Sequence, residues 1–116
     1  MKFTLYTKSL TSYQRRETIE VKIGNIPMGA TNPIRVQSMT TIDTMDTQGS
    51  IEQTIRMIES GCEYVRITAP SIKEAKNLDN IKKGLVERGY DTPLVADIHF
   101  TPTAAMEAAK VNENVR

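Results

Sequence analysis

Three short apolar runs open near residues 34, 63 and 93, and a helical pattern fills the chain between each pair. A recurrence of about thirty residues is what a strand, a crossover helix and a parallel return require, so it points to βα units with right-handed crossovers. The fold class read from this spacing is α/β, with three βα units starting at about 34, 63 and 93. In the first crossover Ile51, Ile55 and Ile58 recur at helical spacing behind a polar loop ending in good N-caps, and Gly61 sits where a left-handed residue closes a helix. This predicts a helix over about 48–60. In the second, Ser71-Ile72-Lys73-Glu74 matches a capping box, and Ala75, Leu78, Ile81 and Leu85 make an apolar stripe that stops near Gly89. Thr101-Pro102 starts a third, alanine-rich helix running to Lys110, and Asn114-Val115-Arg116 reads as the opening of a fourth strand. Ahead of these units, residues 1–17 form an irregular polar arm. Ile19, Val21 and Ile23 alternate with polar neighbours up to the turn pair Gly24-Asn25, predicting a β-hairpin over about 18–29 whose return, carrying Pro27, is short or an edge. Because the sequence stops as a strand begins, a fragment of a larger domain is expected.

The third run, Pro93-Leu94-Val95-Ala96-Asp97-Ile98-His99-Phe100, carries the chemistry. Strand side chains alternate, so Leu94, Ala96, Ile98 and Phe100 share an apolar face while Asp97 and His99 share the other with Val95. Polar groups at a strand's C-terminal end are what an α/β fold shows where its strands open onto a ligand. In the second run Val65 and Ile67 suit a helix layer, which turns Tyr64, Arg66 and Thr68 to the face of Asp97 and His99. In the first, Ile34 and Val36 go outward and Arg35, Gln37 and Met39 inward; by the same logic Val115 turns Arg116 inward. One carboxylate and one imidazole do not balance Arg66, Arg116 and Arg35, and the excess charge suits an anionic ligand, since the planar guanidinium fork matches phosphate. The same pattern also fits a structural Arg66–Asp97 ion pair across adjacent strands and a hydrogen-bonded structural His99.

Composition narrows the partners. A net charge of +1 without any Lys/Arg block gives no electrostatic case for a nucleic-acid or membrane partner. No apolar run is long enough to cross a bilayer and the first residues lack a signal-peptide core, so a cytoplasmic location is expected. Cys62 stands alone, which leaves no intramolecular disulfide and no metal cluster, and suits a buried packing role. Gly24 and Gly29 build neither a GxGxxG nor a Walker loop.

Three segments in register, Pro33-Ile34-Arg35-Val36-Gln37-Ser38-Met39-Thr40, Gly61-Cys62-Glu63-Tyr64-Val65-Arg66 and residues 93–100, resemble the N-terminal part of the 4-hydroxy-3-methylbut-2-en-1-yl diphosphate synthase family, with Arg15-Arg16 and Val21-Lys22-Ile23-Gly24 fitting its start. The resemblance implies an oxidoreductase of the non-mevalonate isoprenoid pathway. Such an enzyme reductively opens 2-C-methyl-D-erythritol 2,4-cyclodiphosphate to 4-hydroxy-3-methylbut-2-enyl diphosphate, with electrons from ferredoxin or flavodoxin through a [4Fe-4S] cluster. It implies an N-terminal (β/α)8 TIM barrel that holds the diphosphate and a C-terminal cluster domain, meeting across a homodimer. Arg66, Asp97, His99 and Arg116 match the family's substrate-binding positions at the barrel mouth.

The chain departs from that family in extent. Three βα units and the threshold of a fourth stand where a barrel has eight, and residues 18–116 read as its first part, a partial TIM barrel without the cluster domain. This implies no cluster and no turnover in the fragment alone, and open sheet edges that promote self-association. Two other readings are another TIM-barrel enzyme with a phosphorylated ligand, of the dihydropteroate-synthase kind, and a non-enzymatic α/β module.

Overall fold

The computed structural model describes residues 7–114, and the chain divides after Ile34 into two units. In the first, Val21 and Met28 form an antiparallel bridge, exchanging backbone hydrogen bonds of 2.7 and 2.9 Å around a turn closed by Ile26 N donating to Ile23 O. Only this pair bridges where a hairpin was expected over 18–29, and Pro27 beside Met28 removes a donor from the return strand.

The second unit runs β1 (Gln37–Met39), α1 (Thr47–Glu59), β2 (Tyr64–Thr68), α2 (Ile72–Glu87), β3 (Leu94–Asp97) and α3 (Pro102–Asn114). The strands are parallel in the order β1-β2-β3, and the registers Met39 with Arg66 and Thr68 with Asp97 place the expected inward residues on one face. On the opposite face Val65, Ile67 and Ala69 are fully buried against Ala75, Leu78, Ile81 and Leu85 of α2, with Ile51 of α1 and Ala104 and Val111 of α3 closing the cluster. Leu94, Ala96 and Ile98 extend it across β3. Each large side chain taken fully out of water there contributes about 1.5–3 kcal/mol, which makes this the layer that holds the strand ends in place.

Local chemistry sets the ends. Asp46 caps α1 by accepting from Gly49 N at 2.9 Å. Ser71 is the N-cap of α2, but its hydroxyl donates to the Glu74 carboxylate instead of capping a backbone amide. That bond holds the Glu74 carboxyl below its usual range.

The elements depart from the sequence expectation in three places. β1 begins at Gln37 rather than near 34, because the Glu63 side chain takes the backbone N–H of Val36 at 3.0 Å and the Arg35 guanidinium at 2.9 Å, where a strand partner would act. Ile34 and Val36, expected beneath the helix layer, are exposed. Asn114 still lies in α3 instead of opening a strand, since no glycine or proline follows Lys110 to stop the helix; residues 115 and 116 lie outside the described residues.

Candidate functional site

β2 and β3 deliver the polar groups to one end of the sheet. Arg66 is the middle residue of β2 and pairs in register with Val95, so Asp97, two residues on, is its diagonal neighbour on the same face. The Arg66 Nη2 donates to Asp97 Oδ1 at 2.9 Å, and His99 Nε2 donates to the same oxygen at 3.2 Å. Asp97 is nearly buried, whereas the side chains of Arg66 and His99 are 42% and 53% exposed. The carboxylate is thus the buried pivot, and the cation and the imidazole beside it are partly exposed. The Arg66 hydrogen bond, seconded by His99, holds the Asp97 carboxyl below its ordinary range against the opposing effect of desolvation. Arg66 Nε has no hydrogen-bond partner among the described residues and is closed to solvent, so the guanidinium keeps donor capacity beyond the Asp97 contact.

His99 lies just past β3, and the next residue, Phe100, takes a left-handed backbone with φ of 56° and is fully exposed. A bulky residue rarely adopts this conformation, which here turns the chain sharply from the strand end into α3. Thr101 fastens the turn, its hydroxyl reaching the carbonyls of His99 at 3.3 Å and Pro70 at 3.5 Å.

Of the residues singled out by alternation, Arg66, Asp97 and His99 therefore come together. Arg35 does not join them. Its ion pair with Glu63 sits at the N-terminal end of the sheet, away from Asp97, and removes Arg35 from the positive excess expected at the mouth. Arg116 lies outside the described residues.

Sequence reasoning placed a polar loop between β1 and α1 but gave it no part in the site. Thr40 N donates to the Arg66 carbonyl at 3.0 Å, and the buried Thr44 hydroxyl donates to the Thr68 carbonyl at 2.6 Å, which lays the loop along the C-terminal end of β2. Asn77 Nδ2 holds it from α2, donating to Thr44 O at 2.7 Å and Thr47 Oγ1 at 2.9 Å. A signal was available: Asn77 stands four residues before Ile81 and eight before Leu85, a polar residue on the apolar stripe. Thr41, Asp43, Thr44, Thr68 and Glu74 line a cleft of about 220 Å³ between this loop and the start of α2. A second cavity, about 250 Å³, lies between α2, α3 and the outer face of β3, lined by Leu78, Lys82, Leu94, Ala96 and Ile98, on the side of the sheet away from Asp97.

The GcpE TIM-barrel domain family matches residues 18–116. The chain belongs to that family. It is 55% identical over 107 residues to the 4-hydroxy-3-methylbut-2-en-1-yl diphosphate synthase (flavodoxin) of Phocaeicola vulgatus, covering 92% of this chain and 17% of the relative. It is 56% identical over 105 residues to the protein of the same name from Parabacteroides distasonis, covering 90% of the chain and 17% of the relative. The one from Leptospira interrogans is 50% identical over 111 residues, covering 96% and 17%. The chain thus spans about 17% of the length of these relatives.

Cys62 is half-buried and packs against the core, and no group of three or more His, Cys, Asp or Glu among the described residues is placed to hold a metal ion. An iron–sulfur cluster draws on several thiolates, so the described residues do not fit one. No helix is long and apolar enough to cross a membrane among the described residues.

Proposed function

We propose that this GcpE-family chain is the opening part of a TIM barrel that binds 2-C-methyl-D-erythritol 2,4-cyclodiphosphate, within a cytoplasmic homodimeric enzyme that reduces it to 4-hydroxy-3-methylbut-2-enyl diphosphate. The observation that carries this reading is the Arg66–Asp97–His99 bridge at the strand ends, in a chain more than half identical to proteins of that name over nearly its whole length. The family match favours this reading over a dihydropteroate-synthase-like enzyme or a non-enzymatic module.

In this proposal Arg66 supplies a fixed positive charge and planar donors to one phosphate, and Asp97 holds Arg66 and His99 in position instead of touching the anion. With its Nε2–H given to Asp97, His99 donates to the anion from its other nitrogen only as the imidazolium, which also adds a positive charge. Arg116, outside the described residues, is proposed as a second guanidinium for the same ligand. The reducing electrons come from flavodoxin, the reductant named in the relatives, or from ferredoxin, through a [4Fe-4S] cluster bound outside this chain. The residues of this chain bind and orient the diphosphate and take no part in electron transfer.

Calorimetric titration of the cyclodiphosphate into the complete protein that contains this segment, before any reductant is added, tests the proposal. Saturable one-to-one binding that is lost in Arg66→Ala is expected. Absence of binding by the folded protein overturns it.

A further inference from the structure

We infer that Gln53, on α1, is a positioning residue that locks the β1–α1 loop into the wall of the phosphate-binding mouth; this rests on the substrate reading above. The side-chain Oε1 of Gln53 accepts from two successive backbone amides of the loop, Thr41 N at 2.9 Å and Ile42 N at 3.2 Å. Its Nε2 donates to the Thr41 hydroxyl at 2.8 Å. One carboxamide thus makes three hydrogen bonds to the segment that lines the 220 Å³ cleft.

The other side of the loop is already tied to the site. Thr40 N bonds the Arg66 carbonyl, Thr44 bonds the Thr68 carbonyl, and Asn77 holds Thr44 from α2. Thr40 and Thr44 are buried, but Thr41 between them is exposed and depends on Gln53 for its amide and hydroxyl partners. Without Gln53 the loop keeps both anchors and loses the brace between them. A ligand entering beside Arg66 would then have to order residues 41 and 42 on binding. Ordering even one backbone residue costs enough to weaken affinity on the order of tenfold.

Gln53 reaches the loop from α1 and does not line the cleft, so it acts through the loop and not on the ligand. A role in packing alone would be preserved by an unbranched side chain of similar size. Two variants of the complete protein separate these cases: Gln53→Ala, and Gln53→Met, which keeps the bulk and removes the hydrogen bonds. Hydrogen exchange at the Thr41 and Ile42 amides, the cyclodiphosphate dissociation constant by calorimetry, and the thermal midpoint are measured on each.

Both variants are expected to lose protection at the two amides and to bind about tenfold more weakly, with midpoints close to the parent. Wild-type affinity in Gln53→Met, or unchanged exchange at Thr41 and Ile42, overturns the inference. Failure of the unaltered protein to bind cyclodiphosphate overturns the substrate reading instead, and the exchange data then still decide whether Gln53 braces the loop.

Discussion

Replacing Arg66 by alanine in the complete protein should separate affinity from stability. Among the described residues the guanidinium pairs with Asp97 at 2.9 Å, and its side chain is 42% exposed. The guanidinium half of the pair is open to water, which limits its contribution to folding, but Asp97 is nearly buried and would keep only His99, so the thermal midpoint should fall modestly. Binding is a different matter. A hydrogen bond to a charged group is worth about 1.5–3 kcal/mol, and at about 1.4 kcal/mol per decade its loss weakens the diphosphate complex by roughly ten- to a hundredfold. Arg66→Lys should recover only part of this, because an ammonium keeps the charge but not the planar fork. Calorimetry on the three proteins at one ionic strength gives the dissociation constants, and circular dichroism gives the midpoints. Equal affinity in Arg66→Ala and wild type would remove Arg66 from the site. A large fall in midpoint with unchanged affinity would show that the Arg66–Asp97 pair is structural.

Three further outcomes are expected. Asp97 titrates below its ordinary value because Arg66 and His99 favour the carboxylate, so its stabilising contribution is complete above the unfolded-state pKa and fades as pH falls through the lower folded one. Stability followed against pH should therefore show an acid limb that Asp97→Asn lacks, and identical acid limbs would refute the assignment. Ile81→Ala, at a fully buried position under β2, should cost about 2–5 kcal/mol in chemical denaturation, and a cost below one kcal/mol would contradict the packing described. The isolated 116-residue chain should self-associate, because β1 and β3 each pair on one side only among the described residues; a concentration-independent monomer in sedimentation would count against open edges.

The elements were legible because their signals are local and mutually consistent. Alternation placed Val65 and Ile67 in the core, and helical spacing placed Ala75, Leu78, Ile81 and Leu85 opposite them. The signals failed where a side chain did the work of a backbone. Residues 34–36 carry a good strand pattern, yet Glu63, twenty-seven residues on from Val36, takes up the amide of Val36 with its carboxylate, and no local pattern announces that contact. The end of α3 was misread for the opposite reason. The alanine-rich run had no stop signal after Lys110, and the expectation of another strand by period outweighed the missing helix terminator.

The candidate site divides the same way, and the division says which parts of it a pattern can reveal. Arg66, Asp97 and His99 were visible because a charged residue on an alternating strand has only two faces to choose from, and burial of the apolar face decides between them. The partners of the β1–α1 loop were invisible for want of any such period: Thr40 and Thr44 are buried and Thr41 is exposed, each with a different partner, although they are near neighbours of one type. What fixes them lies on helices, at Gln53 and Asn77, where an amide on an otherwise ordinary helix face gives no sign of its target. Asn77 breaks an apolar stripe and so could be suspected; Gln53 breaks nothing. The strand-end residues of the candidate site are thus easier to read from sequence than the helix residues that hold the neighbouring loop, since the first are constrained by the sheet and the second only by the loop they happen to reach.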